Sequence, residues 1–341
     1  MSDNRIRNME ELAAVSGISR PTLSKYFHDP ESVRISTRAR IERALDRYDY
    51  RPNIFAINQN RRLTKTIGIL VPYLADPFFA EIVRMIERQC IDAGYWPIVF
   101  SAHGKTELEN NALATLVSLR PAGALIAPLG RSSDLENVEN FTREVPTVVF
   151  DSNLAVGKAF VGSNNFQSIP MIVQYLCRTG EPPCFFEMPP VNPNANKRRQ
   201  AYLDAMERVG HVPTVITASG GDWDFEQIGF NNGLQLIADR ALPSSTVLCS
   251  NDRIAIGLIA AAYQKGLRVG RGDGCALRVA GHDDHPWSKF TCPSLTTVAQ
   301  DYESIATKSV QVLFELINDE TRSHERHEYL FEGKLVMRSS A

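Results

Sequence analysis

The chain of 341 residues carries 43% hydrophobic and 22% charged residues, a composition typical of a globular protein of two or three domains. Its first residues contain no apolar signal segment, and the most apolar run, at 255–263, is too short to span a bilayer, so the sequence predicts a cytoplasmic protein without a membrane anchor. Residues 1–65 hold 13 Lys and Arg against 8 Asp and Glu, whereas the remainder holds 24 basic and 31 acidic residues. This asymmetry is typical of a basic segment that contacts a polyanion such as nucleic acid. The six scattered cysteines, with no C-x-x-C pair, are expected to be reduced core residues.

The first 50 residues, here called the head, show helix patterns and no strand pattern. Apolar residues spaced i, i+3 and i+4 predict a first helix over 9–15. Gly17 can then turn the chain with a positive φ, and Ser19 is a natural N-cap for a second helix over 20–28. Pro21 becomes the second residue of that helix, where its missing N–H costs little because first-turn donors have no intrahelical partner.

The predicted second helix has one apolar and one basic face. Leu23, Tyr26 and Phe27 are expected to be buried, and the opposite face is polar and basic. A third helix is expected with Ser36 as its N-cap. Two short helices joined by a glycine turn predict a helix-turn-helix, whose second helix enters the DNA major groove. The alternative is a generic small helical bundle.

From Thr66 onward, in what is here called the body, short apolar β-rich runs alternate with amphipathic helical stretches, after a polar and basic connector over 51–65. Continuous apolar strands that alternate with helices indicate parallel sheets covered on both faces. There are too many strands for one compact sheet, so we expect two α/β lobes. The expected strands lie at 66–72, 96–102, 123–128, 146–151, 183–188, 214–219, 245–251, 276–283 and 295–301, and the expected helices include 78–93, 106–119, 166–178, 196–209 and 252–265.

The head resembles the DNA-binding domain of the lactose/galactose repressor (LacI/GalR) family over the stretch MEELAAVSGISRPTLSKYFHDPESVRISTRARIERALDRYDYRPN. The resemblance continues through TKTIGILVPYLADPFFAEIVRMIE to LVMRSS near the end. It implies an all-α helix-turn-helix head, a hinge and an α/β two-lobe body similar to periplasmic binding proteins. The first lobe would comprise about 66–162 and 293–323, and the second about 163–292 and 324–341. The implied protein is a homodimeric transcriptional repressor, whose affinity for palindromic operator DNA is controlled by a small carbohydrate-like effector between the lobes.

The resemblance also implies which residues contact DNA. In the family, a leucine of the hinge wedges into the minor groove, and Gln59 stands at that position here, which places the wedge in question because a buried amide is costly in an apolar gap. Arg61 and Arg62 remain as phosphate partners. The candidate DNA-binding residues are Ser19, Arg20, Pro21, Thr22, Ser24, Lys25, His28, Asn53, Gln59, Arg61 and Arg62.

Ligand sites in α/β sheets form at the carboxyl ends of strands, where the family's binding motifs recur in this chain. Asp76 stands where the family has asparagine, and Ser152 stands where an arginine often follows the binding aspartate. Arg198 matches the position of an arginine that contacts the ligand in the family, and the adjacent Arg199 is the alternative candidate for that role. Stacking aromatics with polar groups at the rim suit a polyol, and an arginine leaves room for an acidic sugar or a phosphosugar. The candidate effector-binding residues are Asp76, Phe78, Phe79, Asp151, Arg198, Trp223, Asn251, Asp283 and Gln300.

Other functions find less support in the sequence. The run HDDH at 282–285 could suggest a metal, but consecutive residues at a strand end point to alternating faces. No nucleophile elbow, zinc-protease motif or P-loop occurs, so neither an enzyme nor a cofactor is expected. The alternative function is a cytoplasmic sugar sensor whose head no longer binds DNA.

Overall fold

The structure is a computed structural model that describes residues 6–51, 64–220, 223–318 and 325–341. The chain divides into two compact units, 1–64 and 65–341. The first contains the head and the second is the body. Each is described by itself.

The head is a small helical unit with its own apolar core. Its helices are α1 (Met9–Ser16), α2 (Arg20–His28) and α3 (Ile35–Tyr48), with a short 3-10 turn at Pro30–Ser32 between the last two. The side chains of its core are those of Leu12, Ile18, Leu23, Val33, Ile41, Ala44 and Tyr50.

The predicted start of α2 is confirmed. Gly17 ends α1 with φ 64°, and the Ser19 hydroxyl accepts a hydrogen bond from the Thr22 N–H at 3.4 Å. Pro21 is therefore the second residue of the helix. The expected cap at Ser36 is wrong, because the carbonyl of Arg34 already accepts from the amides three and four residues later and α3 begins at Ile35.

The first lobe of the body is built on a six-stranded parallel sheet with the order β11-β5-β4-β3-β1-β2. Its interior strands are almost fully buried, as the apolar runs predict. The strands are β1 (Thr66–Val71), β2 (Trp96–Ser101), β3 (Gly123–Ile126), β4 (Thr147–Phe150), β5 (Ala159–Ser163) and β11 (His327–Phe331). The helices of this lobe are α4 (Pro77–Asp92), α5 (Thr106–Leu119), α6 (Leu135–Glu144) and α11 (Tyr302–Asn318).

The second lobe contains a four-stranded parallel sheet with the order β7-β6-β8-β9, and an antiparallel pair of short strands. The sheet consists of β6 (Cys184–Phe186), β7 (Val215–Ile216), β8 (Thr246–Cys249) and β9 (Arg278–Ala280), and the pair consists of β10 (Thr297–Ala299) and β12 (Lys334–Val336). Its helices are α7 (Asn165–Thr179), α8 (Pro193–Arg208), α9 (Phe225–Ala238) and α10 (Asp252–Gln264).

The chain passes between the lobes at places that differ from the expected boundaries. Strand β11 pairs in parallel with β5, so 327–331 belongs to the first lobe rather than the second. Strand β10 pairs with β12 and bridges to the segment after β9, so 297–299 belongs to the second lobe rather than the first. The physical reason is the same in both cases. Backbone hydrogen bonds to a neighbouring strand determine which lobe a strand belongs to, and the pattern of apolar residues in the sequence does not reveal those bonds.

Helices α9 and α10 pack side by side with their backbones in contact. A Cβ on Gly257 would lie 2.2 Å from the carbonyl oxygen of Glu226, and one on Gly229 would lie 2.3 Å from that of Ile254. Only glycine permits so close an approach. The first turns of both helices therefore lie next to each other.

The cysteines are all free thiols. Cys90, Cys184 and Cys249 are buried, as expected of core residues. Cys177 and Cys275 are only half-buried, and Cys292 is exposed because it lies in a turn segment outside the sheets. No helix in the described parts of the chain has the length and apolarity needed to cross a membrane.

Candidate effector cleft and DNA-binding face

The outer face of α2 carries the candidate DNA-reading groups of the head. Arg20, Pro21, Ser24 and Lys25 are exposed there, together with the capping Ser19, while Thr22 is half-buried. Opposite them, Leu23 is fully buried. The helix is two-sided as the spacing predicts, with its basic face in solvent, although Tyr26 and Phe27, which were expected to be buried, are half-buried against the core.

Arg20 pairs with one residue among the described parts of the chain. Its guanidinium lies 3.5 Å from Glu10, and both side chains are largely exposed. Exposed pairs of this kind contribute little, so Arg20 can exchange this partner for an anion or a base edge. The side chain of His28 and the residues Asn53, Gln59, Arg61 and Arg62 lie outside the described residues.

The candidate effector residues of the body meet in one cavity between the lobes. The loops that follow β1, β4, β6, β8 and β9 converge there, as expected at the carboxyl ends of parallel strands. All nine residues predicted from the sequence line this cavity, and they are joined by Met188, Asn192, Asn194 and Phe225.

Arg198 of α8 is held from three directions. Its Nε donates to Asn165 Oδ1 at 3.0 Å, Nη1 donates to the Ser250 carbonyl at 2.7 Å, and Nη2 donates to Asp283 Oδ1 at 2.8 Å. The side chain is almost completely buried. Arg198 therefore has a fixed orientation and a carboxylate partner, whereas Arg199 lies half-exposed against Glu187.

Asp283 is the acceptor at the centre of the second lobe's wall. Gln300 Nε2 donates to its Oδ1 at 2.6 Å, and His282 Nδ1 lies 3.1 Å from the same oxygen. Burial alone would raise the pKa of Asp283, but Arg198 and the neighbouring imidazoles hold it well below its usual range. Asp283 also has φ 126°, a strained conformation for a residue with a side chain, of the kind that collects at functional sites.

Asp151 is the corresponding carboxylate at the end of β4 in the first lobe. Asn194 Nδ2 donates across the cleft to its Oδ1 at 2.9 Å and to its carbonyl at 3.1 Å. Burial raises the pKa of Asp151 to about 7. Among the described residues, nothing donates to Oδ2 of Asp151 or to Oδ2 of Asp283. Two carboxylate oxygens are thus available to hydrogen-bond donors of a ligand.

Asp76 precedes α4 and acts as its N-cap. Its Oδ1 accepts from the Phe78 N–H at 3.0 Å, and its Oδ2 lies 3.0 Å from Arg253 Nη1 of the second lobe. Burial raises the pKa of Asp76, although Arg253 opposes that shift. Arg253 in turn pairs with Glu226. The first lobe's carboxylate is therefore tied to a cation of the second lobe.

Aromatic side chains form the apolar wall of the cleft. Phe78 and Phe79 meet edge to face with centroids 5.0 Å apart, and Trp223 lies 6.2 Å from Phe79 and 5.7 Å from Phe225. Both phenylalanines also belong to the buried core, so core packing and lining the cleft are not exclusive roles. Flat apolar surfaces of this kind suit the C–H faces of a sugar ring.

Four lining residues were missed by sequence reasoning. Asn192 caps α8 by accepting from the Ala195 N–H at 3.2 Å, so the pair Asn192–Pro193 is a helix-start pattern that could have been noticed. Asn194 follows it within the same turn. Met188 and Phe225 carry no comparable pattern, because apolar residues near strand and helix ends are common.

The HDDH run divides between different environments, but not by the predicted alternation of faces, because the neighbours His282 and Asp283 contact each other and the backbone at Asp283 and Asp284 has positive φ. His282 is buried and bonded to Ser168 at 2.8 Å, whereas Asp284 pairs with Arg338 at 2.7 Å. Within the described ranges, no group of His, Cys, Asp and Glu is arranged to hold a metal ion.

Comparisons with known proteins agree with this architecture. Residues 8–53 match the model for bacterial regulatory proteins of the lacI family, and 174–341 match a periplasmic binding protein-like domain, so the two models together match more than half of the chain. The chain belongs to the lacI family of bacterial regulatory proteins. It is a DNA-binding transcription regulator and not an enzyme.

Relatives with curated functions extend over nearly the whole regulator. The ribose operon repressor of Escherichia coli (strain K12) is 27% identical over 321 residues, which cover 93% of this chain and 95% of that protein. The transcriptional repressor PurR of Pasteurella multocida (strain Pm70) is 27% identical over 337 residues, covering 97% and 98%. A lac repressor dimer bound to operator and an anti-inducer is similar in fold, with a TM-score of 0.83, 24% identity and 98% of each chain covered.

Proposed function

We propose that this regulator binds palindromic operator DNA as a homodimeric repressor, and that an uncharged carbohydrate-like molecule in the cleft controls its affinity for that DNA. The observation that carries the proposal is the convergence of polar strand-end residues from both lobes on one cavity with an aromatic wall. The ribose operon repressor among the relatives supports a carbohydrate-like effector.

The charges in the cleft favour an uncharged ligand over a phosphosugar or a sugar acid. Each of the two arginines nearby already has a carboxylate partner, since Arg198 pairs with Asp283 and Arg253 pairs with Asp76. Above about pH 7, where it is ionised, Asp151 adds a third carboxylate without a cationic partner within ion-pair distance among the described residues. Hydroxyl groups can donate to the open carboxylate oxygens, whereas an anion would be repelled by them.

A thermal-shift screen identifies the effector, because a ligand that binds only the folded protein raises its stability. The panel contains each sugar together with its phosphorylated and carboxylated forms. We expect stabilisation by an uncharged member and none by its anionic partners. Stabilisation by the anionic form alone would contradict the charge argument.

Substitution of the cleft arginine tests the site against its neighbour. Arg198→Ala removes hydrogen-bond donors and leaves the buried Asp283 carboxylate without its cationic partner. We therefore expect effector affinity to fall by about a hundredfold, measured by calorimetry with the ligand found in the screen. Arg199→Ala is the matched control, since Arg199 is half-exposed and lies against Glu187. Equal effects of the two substitutions would show that the cleft is not the effector site.

A gel-shift series with DNA from upstream of the regulator's own locus tests the DNA-binding part of the proposal. We expect a palindromic fragment to be retained and the effector to change that retention. Light scattering of the free protein should give the mass of a dimer. Effector binding without retention of specific DNA would instead indicate a sensor whose head no longer reads an operator.

A further inference from the structure

We infer that Arg253 is a positioning residue of the cleft, which holds Asp76 of the first lobe against the second lobe and so sets how readily the lobes part. The inference rests on the proposed function for its purpose, because an effector between the lobes can act only by changing their equilibrium. The contacts of Arg253 from which it is argued do not depend on a bound ligand.

Arg253 is placed to join the lobes. It lies in the first turn of α10, and its Nη1 is 3.0 Å from Asp76 Oδ2. Its Nε and Nη2 donate to the two oxygens of Glu226 at 2.8 and 2.5 Å. Its guanidinium carbon also lies 5.8 Å from the ring centroid of Tyr73 in the first lobe and 5.0 Å from that of Phe225 in the second.

Arg253 acts from behind the cleft. Asp76 lines the cavity, whereas Arg253 does not line it and is buried in the protein, with 4% of its surface exposed. Asp76 uses one oxygen as the cap of α4 and the other for Arg253. Arg253 therefore fixes the position and charge of a cleft carboxylate without needing to touch the ligand itself.

The two partners of Arg253 make the contact reversible. When the lobes part, Arg253 keeps both bonds to Glu226 in its own lobe, and Asp76 is solvated by water. Neither ion is then left buried without a partner. When the guanidinium is removed, by contrast, closure buries Asp76 without its cation, which strongly disfavours the closed arrangement.

Trp223 provides an intrinsic measure of closure. This second-lobe side chain is 7% exposed, and it packs on the first lobe so closely that a Cβ on Gly104 would lie 2.6 Å from its ring. The other two tryptophans, Trp96 and Trp287, are each 64% exposed and can be replaced by phenylalanine. In that background, acrylamide quenching reports on Trp223 alone, in full-length protein without DNA or effector.

The test compares quenching in a set of variants. An unpaired buried carboxylate shifts the balance between closed and open lobes by on the order of a hundredfold, so we expect Arg253→Gln to make Trp223 readily quenched. Arg253→Lys should retain part of the protection. Adding Asp76→Asn to Arg253→Gln should restore protection, because the closed form then buries no unpaired charge.

Two further variants separate positioning from general loss of structure. Arg338→Gln removes an ion pair of 2.7 Å that lies within the second lobe, and it should leave Trp223 protected. Asp76→Asn alone keeps an N-cap side chain and leaves Arg253 paired with Glu226, so it should expose Trp223 only slightly, and it serves as the test should Arg253→Gln fail to fold.

The inference is overturned if Trp223 in Arg253→Gln is as protected as in the parent, if Arg338→Gln exposes it equally, or if Asp76→Asn does not restore protection. Should only the Asp76→Asn single variant fold, quenching of its Trp223 equal to that of the parent would overturn the inference, because the contact between Asp76 and Arg253 would then contribute nothing to closure. Since no effector is present, these results do not depend on the outcome of the effector screen.

Discussion

Replacement of Asp151 by asparagine should change how the stability of the body depends on pH. Asp151 is 7% exposed, and burial raises the pKa of its carboxyl group to about 7. Arg198 and Lys197 oppose that shift, whereas Asp283 and Asp76 add to it. In the unfolded chain the same group loses its proton near the ordinary value of 3.8.

The sign of the effect follows from proton binding. Between about pH 4 and pH 7 the folded protein holds a proton on Asp151 that the unfolded chain has lost, so this group's contribution to stability falls as the pH rises and is constant above about pH 7. Asparagine cannot ionise and escapes that loss. Between about pH 5 and pH 8 the variant should therefore gain stability relative to the parent by about 3 kcal/mol, from about 1.4 kcal/mol for each of some two pH units.

Urea unfolding of parent and variant at about pH 5 and about pH 8 measures this difference in the free energy of unfolding. The comparison between proteins is needed because His282 acts in the opposite sense. Burial lowers the pKa of His282 to about 4, so its contribution to stability is lost as the pH falls from 6.5 through 4, in both proteins alike. A difference that stays the same at both pH values would show that Asp151 is ionised in the folded protein, and the argument for its burial would fail.

Three further predictions test other parts of the molecule. Gly257→Ala forces a methyl group into the backbone of the adjacent helix and should lower the free energy of unfolding of the body by about 2–3 kcal/mol in urea titrations; an unchanged value would mean that α9 and α10 are not in contact. Leu23→Ala empties the centre of the head and should cost about 2–4 kcal/mol there, with loss of operator binding but no change in the thermal transition of the body. Arg20→Ala and Lys25→Ala should each reduce the preference for operator over scrambled DNA by about 1–3 kcal/mol in competition gel shifts. Arg43→Ala on α3 should not, because Arg43 is exposed and its Nε donates to the Ala39 carbonyl.

The start of α2 shows what the sequence could predict. A capping serine, a proline at the second helical position and a preceding glycine each have a local meaning, and no distant residue is needed to interpret them. The effector residues could be placed for a related reason, because they stand directly after apolar strands whose ends meet at one edge of each sheet.

Strand β11 shows why other elements could not be predicted. It is an edge strand whose residues are mostly exposed or half-buried, so it lacks the continuous apolar run of an interior strand. Helix α9 escaped prediction because its glycines and asparagines weaken the helix pattern, and the reason for the glycines lies on another helix.

The partner of Arg253 could not be inferred either. In the sequence this arginine follows Asn251 and Asp252 at the start of a helix, and its ion pair reaches a residue 177 positions earlier in the chain. The substitution of aspartate for the family's asparagine at position 76 was visible, but the charge that stabilises it lies in the other lobe.

The backbone contact between α9 and α10 has a mechanical consequence. At most helix contacts, a small displacement of one helix can be accommodated by side chains that change rotamer. Where the helices touch through glycine backbones, no side chain lies between them to do so. Glu226 and Arg253 lie in the first turns of these two helices, behind the cleft. The helices run in the same direction, because Gly229 lies against Ile254 and Gly233 against Leu258. The two helices should therefore move as one rigid body. A displacement of their first turns should then produce a displacement of similar size at their C-terminal ends, Ala238 and Gln264.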